Sequence, residues 1–174
     1  MSDVLSQLCP IQFIEGINEN QEPILISEGP FWRPDETQVA IPYKPSRAYA
    51  LSRIDIFGSP HKLPQPKEHQ VSLYTDSNDA PSNNLLAEGK LIVPAQVASE
   101  CWLTINLQPI VVFPKQRYWI ALEDYPLKFT IGIAKDGKEI AVTGKALLTG
   151  RWISIAATIR YMLKFYGRVL PVVS

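Results

Sequence analysis

The chain has 174 residues, enough for one domain with a core plus extensions, because most domains hold on the order of 100 to 150 residues. Lys+Arg and Asp+Glu are both 17, so the net charge is zero and the broad positive field that carries sequence-independent nucleic-acid binding is excluded. With 46% hydrophobic and 20% charged residues the chain can bury enough apolar surface to fold, and 15 prolines against 9 glycines favour many strand ends over long helices.

The lead-in, residues 1–23, ends in NENQEP and has the composition of an arm or loop. Its start, MSDVLSQLCP, carries Asp3 where a secretory signal would carry basic charge, and no window reaches the roughly 18 apolar residues of a membrane span. These features predict a cytoplasmic or virion-borne protein, or one exported without such a signal. Cys9 and Cys101 are far apart and follow no close-spaced pattern, which predicts two reduced, buried thiols.

Strand candidates then follow in order. QVAIPY (Gln38 to Tyr43), YALSRIDIF (Tyr49 to Phe57) and HQVSLYT (His69 to Thr75) come first, with the proline-rich SPHKLPQPK separating the last two. A polar turn, DSNDAPSNN, precedes LLAEGKLIV (Leu85 to Val93). CWLTINL (Cys101 to Leu107), IVVF (Ile110 to Phe113), RYWIAL (Arg117 to Leu122), KFTIGIA (Lys128 to Ala134), EIAVTG and RYMLKFYG (Arg160 to Gly167) complete the set.

Alternation in steps of two places every second side chain on one face, and here one parity is apolar: Leu103, Ile105 and Leu107 with Cys101; Phe129, Ile131 and Ile133; Ile159, Tyr161, Leu163 and Phe165. The expectation is an all-β, antiparallel β-sandwich or jelly roll of about nine to ten short strands over residues 24–167, followed by a tail over 168–174. KDGKE is the clearest hairpin signal, since Asp-Gly supplies positive φ angles, so KFTIGIA and EIAVTG are expected to pair. WISIAATIRYMLKFY also fits a helical spacing, but its β-branched and aromatic content favours a loop followed by a strand.

Several of these segments, FWRPDETQVAIPYKPSRAYALSRIDIFG, VSLYTDSNDAPSNNLLAEGKL, INLQPIVVFPKQRYWIAL and KFYG, resemble the choice-of-anchor domain. That β-sandwich module is a repeated accessory unit of bacterial and cyanobacterial secreted proteins. The likeness runs from about Phe31 to Gly167, through LYTDSNDAPS and Tyr118-Trp119-Ile120. The resemblance implies a non-catalytic, carbohydrate-binding-like fold.

Candidate sites are few. Asp76, Asn78 and Asp79 gather oxygen ligands of the kind Ca2+ prefers, but Ala80 takes a ligand position and no bidentate glutamate follows. The competing reading is a turn whose Asp and Asn side chains bond their own backbone. Trp102 and Trp119 would stack on a glycan or anchor a protein partner if both lie on an outer sheet face, and otherwise cover a second apolar layer. His61 and His69 are expected to be exposed loop residues. No nucleophile-and-base pattern points to an enzyme.

The expected function is therefore a non-enzymatic structural, assembly or adhesion protein. It would be a capsid-decoration or tail component that meets neighbouring subunits through its termini and is oligomeric. The apolar run Val169 to Val173 suits such a partner surface. The alternative is a lectin-like module using Trp102 and Trp119.

Overall fold

In a computed structural model the described residues are 9–24, 37–96, 99–123, 128–146 and 152–170. They form eleven strands: β1 (Gln12–Ile17), β2 (Thr37–Tyr43), β3 (Tyr49–Pro60), β4 (Lys67–Ser77), β5 (Ala80–Val93), β6 (Cys101–Val112), β7 (Tyr118–Leu122), β8 (Phe129–Ile131), β9 (Ile140–Ala146), β10 (Trp152–Ile159) and β11 (Leu163–Val169). Every pairing is antiparallel, so the expected all-β antiparallel class holds. One continuous sheet runs β1-β11-β3-β6-β5-β4-β7-β2-β9-β10, with β8 added to β3. No helix among the described residues is long and apolar enough to cross a membrane.

The sheet curls because one parity of nearly every strand is apolar and must leave water together. Val39, Ile41, Leu51, Ile54, Leu73, Leu91, Ile105, Ile120, Leu163 and Phe165 all join a single core cluster. The curl is visible in one contact: Tyr43 of β2 and Phe165 of β11, far apart in the strand order, stack with ring centroids 3.7 Å apart and planes 6° from parallel.

Prolines mark where the ladder yields. CWLTINL and IVVF are one strand, β6, whose register against β3 jumps from Asn106↔Arg53 to Ile110↔Leu51. Pro109, which has no N–H to donate, sits in that bulge. Pro42 lies where β2 pairs with β7, beyond Ala40, the last residue paired with β9, so the ladder on the β9 side has already ended.

Four expectations are corrected. First, KFTIGIA and EIAVTG do not pair: β8 joins β3, and β9 joins β2 and β10. Gly137 does turn the chain with φ of 117°, but Asp136 is not in the positive-φ region, and a two-residue hairpin of the mirror-image type needs positive φ at both central positions. The turn is instead clasped by Asn18, whose Oδ1 accepts from Lys138 N at 2.7 Å and whose Nδ2 donates to the carbonyls of Lys138 and Tyr161.

Second, residues 152–159 are a strand, not a loop, paired with β9 across a register shift between Ser154 and Thr158. Third, the lead-in contains β1, which pairs with β11 along Gln12↔Gly167 to Ile17↔Leu163. An arm that carries Ile14 and Ile17 on its inner side gains by joining the sheet, and both pack against the core. Fourth, His69 is buried on β4, where its Nε2 accepts the Lys128 N–H at 3.0 Å, and both cysteines are free but only half-buried. His61 is exposed, as expected.

Candidate binding surfaces

The polar stretch read as a calcium loop is the tip of the β4–β5 hairpin. Asn78 and Asp79 have φ of 53° and 62°, and Ser77 pairs with Ala80, which is a two-residue turn of the I′ type. Asx residues tolerate this region best after glycine, so the composition that suggests ligands suits the turn equally well.

The two aspartates point to different partners. Asp76 Oδ1 accepts the Trp119 indole N–H at 2.7 Å, and Asp79 Oδ1 lies 2.6 Å from Arg117. Neither carboxylate is bonded to its own turn in the way the turn reading expected. No group of three or more His, Cys, Asp and Glu that could hold a metal occurs among the described residues. Beside the turn, Thr75 and Ser82 bond each other across the register shift, and Ser82 Oγ also accepts the Asn84 N–H.

Trp119 stands on the side of β7 opposite the main core, in a cluster with Ala40 and Ala121 and against Tyr74. It is 2% exposed, so its ring offers no open face for a sugar to stack on. On the same side, Ser72 and Tyr74 donate to the two oxygens of Glu123 at 2.7 and 2.6 Å. Burial, then the Glu123 bond, pushes the Tyr74 hydroxyl up to about 12.

Trp102 is elsewhere. It is half-buried on β6 and belongs to a band of side chains running across β1, β11, β3 and β6 on the face away from the core. Phe13 meets Tyr166 edge to face at 5.7 Å, and Phe57 meets Trp102 the same way at 5.4 Å. The Arg53 guanidinium lies 4.5 Å over the Tyr166 ring and forks onto Asp55 with bonds of 2.9 and 2.8 Å. Lys164 Nζ lies 4.2 Å over Trp102. The Asp55 bond holds the Arg53 pKa above its ordinary value, against a smaller opposing effect of burial. Phe13 remains 46% exposed and Ile11 beside it 51%.

A cleft of about 750 Å³ opens where the curled sheet fails to close, between β1 and the ends of β2 and β9. Glu15, Gly16, Ile17 and Asn18 line it in succession along the end of β1, the terminal strand of the sheet. Opposite stand Tyr43, Lys44 and Lys138 to Ala141, with Asp79, Arg117 and Trp119 at one end. Glu15 accepts from the Tyr43 hydroxyl at 2.8 Å and from Ser46 N at 3.0 Å, and Tyr43 shares a 2.5 Å hydrogen bond with Tyr49. Burial, above all, raises the pKa of both tyrosines well beyond the usual range.

The structure thus brings Asp76, Asp79 and Trp119 to one end of the molecule and leaves Trp102 on another face. Phe57 and Lys164, the partners of Trp102, escape a reading of single strands because their proximity depends on register between β11, β3 and β6. Parity around Trp102 was the one available signal. No protein-family model, curated protein or solved structure matches the chain.

Proposed function

We propose that the chain is a non-enzymatic assembly or adhesion domain that docks onto neighbouring protein subunits through the face built around Trp102. The observation that carries this reading is the band of Phe13, Tyr166, Phe57 and Trp102 interleaved with Arg53 and Lys164. Half-buried aromatics and arginine are the residue types that dominate protein interfaces, since they remove large area from water while keeping a polar handle. The exposed Ile11 and Phe13 extend the band to the β1 edge, within the N-terminal segment. A capsid-decoration or tail subunit is a protein of this kind, and the resemblance to choice-of-anchor modules belongs to the same reading, supported by the antiparallel all-β fold.

Sedimentation equilibrium over a wide concentration range tests it. Self-association that weakens in the Trp102→Ala, Arg53→Glu double variant is the expected result. A wild-type protein that stays monomeric throughout contradicts it.

A lectin-like module is the second reading, favoured by the partly exposed indole of Trp102 on an outer sheet face. It requires glycan-array binding that disappears in Trp102→Ala with the circular dichroism spectrum unchanged. Silence across a broad array sinks it.

A further inference from the structure

The cleft beside β1 has a shape and a charge pattern that the docking face does not use. Its β1 wall is a strand edge, and on that side β1 has no strand partner among the described residues. Unpaired edge N–H and C=O groups are a template for one more strand. Opposite this edge β2 and β9 have parted: they pair with each other only from Thr37 to Ala40, so Pro42 and Tyr43 keep β7 alone as partner and Ile140 and Ala141 keep β10 alone. A strand added to β1 would lay its side chains against these parted ends of β2 and β9.

The charges select its chemistry. Each carboxylate of the cleft is held by this chain: Glu15 by Tyr43 and Ser46, Asp79 by Arg117, and Glu139 by Arg160 at 3.5 Å. Lys44 and Lys138 are exposed, and neither ammonium is in an ion pair among the described residues. A ligand entering here meets Asp79 and Glu139 each offset by an arginine, Glu15 still charged but with its bonds to Tyr43 and Ser46 made, and two ammonium groups with no carboxylate partner among the described residues. The inner wall is apolar at Ile17, Ile140 and Ala141, so alternate residues of the ligand should be apolar.

We propose that the β1 edge and its cleft bind an extended polypeptide segment, apolar on one face and acidic on the other, by addition of a strand to β1. In an assembly this segment would come from a neighbouring subunit. The inference rests on the cleft alone and stands independently of the docking face around Trp102.

The test is a displayed library of random peptides of about nine residues, long enough for one strand, selected against the full chain. Enrichment of alternating apolar and acidic sequences is expected. Synthetic copies should slow amide exchange over Gln12–Ile17, and the Lys44→Glu, Lys138→Glu double variant should weaken them about tenfold or more, as reversing close cationic partners does.

Trp102→Ala should leave their affinity unchanged, which separates this site from the docking face. Three results overturn the proposal. The library enriches nothing; the enriched peptides bind the double variant as tightly as wild type; or they bind without protecting β1. Far-ultraviolet circular dichroism and a thermal melt of the double variant establish that it folds, and the exchange readout on wild type does not depend on that variant at all.

Discussion

Trp102 on β6 and Trp119 on β7 belong to one sheet, with β5 and β4 between them, and both stand on the side away from the main core, yet one is partly exposed and the other sealed. The difference lies in their cross-strand neighbours. Trp119 is flanked by Tyr74 and Pro42, with Ala40 and Ala121 beside it, and its indole N–H is taken by Asp76. Trp102 is flanked by Phe57 and lies under a lysine, so its ring is covered by a flexible cation rather than by fixed hydrocarbon. Strand parity assigns a side chain to a face, and the size and chemistry of the neighbours decide whether it is sealed there or left partly open to water.

The comparison is broken most severely at its buried end. Trp119→Ala empties a packed position and orphans the Asp76 carboxylate, and should cost about 3 to 5 kcal/mol in urea denaturation. If the loss is no larger than for Trp102→Ala, the burial contrast fails.

Alkali should loosen the molecule next. Tyr43, Tyr49, Tyr74 and Tyr161 all have raised pKa values, burial being the largest cause in each. An unfolded tyrosine ionises near pH 10, so the folded chain holds these protons more tightly than the unfolded one. Their contribution is complete below about pH 10 and is lost as pH climbs through about 12, where Tyr74 titrates when folded. Melting temperature followed together with tyrosinate absorbance should show ionisation coinciding with unfolding. Tyr74→Phe should flatten the decline.

Asp76→Ala isolates one bond. It leaves a buried indole N–H unpaired, for about 1 to 3 kcal/mol, and should shift the urea midpoint without altering the circular dichroism spectrum. Adding calcium should not change the melting temperature of wild type, because the two aspartates already serve Trp119 and Arg117.

Trp102→Ala is the mildest for stability. It forfeits a cation–π contact worth about 0.5 to 1 kcal/mol at an exposed site and an edge-to-face pair with Phe57, so it should unfold at a lower urea concentration by less than any change at Trp119. Its effect on self-association should be much larger than its effect on stability.

Much of the fold was legible because the code for a strand is local: alternation from Cys101 to Leu107 and from Ile159 to Phe165 named the inward residues directly. What failed was pairing. Asp136-Gly137 looked like the clearest hairpin and Asn78-Asp79 like a polar turn with oxygen ligands to offer, yet both positive φ angles occur at the second. Asn and Asp reach that region at modest cost, which composition alone does not distinguish from an appetite for metal.

β1 escaped because its apolar residues, Phe13, Ile14 and Ile17, do not alternate, the bulge between Phe13 and Glu15 breaking the period of two that marks the other strands. The cleft was invisible for a stricter reason. Its walls come from segments around residues 15, 43, 117 and 139, and only the curl of the sheet makes them neighbours.

The central claim, that the Trp102 face meets partners while Trp119 is structural, is tested most directly by 19F NMR of the protein carrying 5-fluorotryptophan, with the Trp102 and Trp119 signals among the four tryptophans assigned through Trp102→Phe and Trp119→Phe. The account predicts that raising the protein concentration shifts or broadens the Trp102 signal and leaves that of Trp119 in place. A Trp119 signal that responds while Trp102 stays still would contradict it.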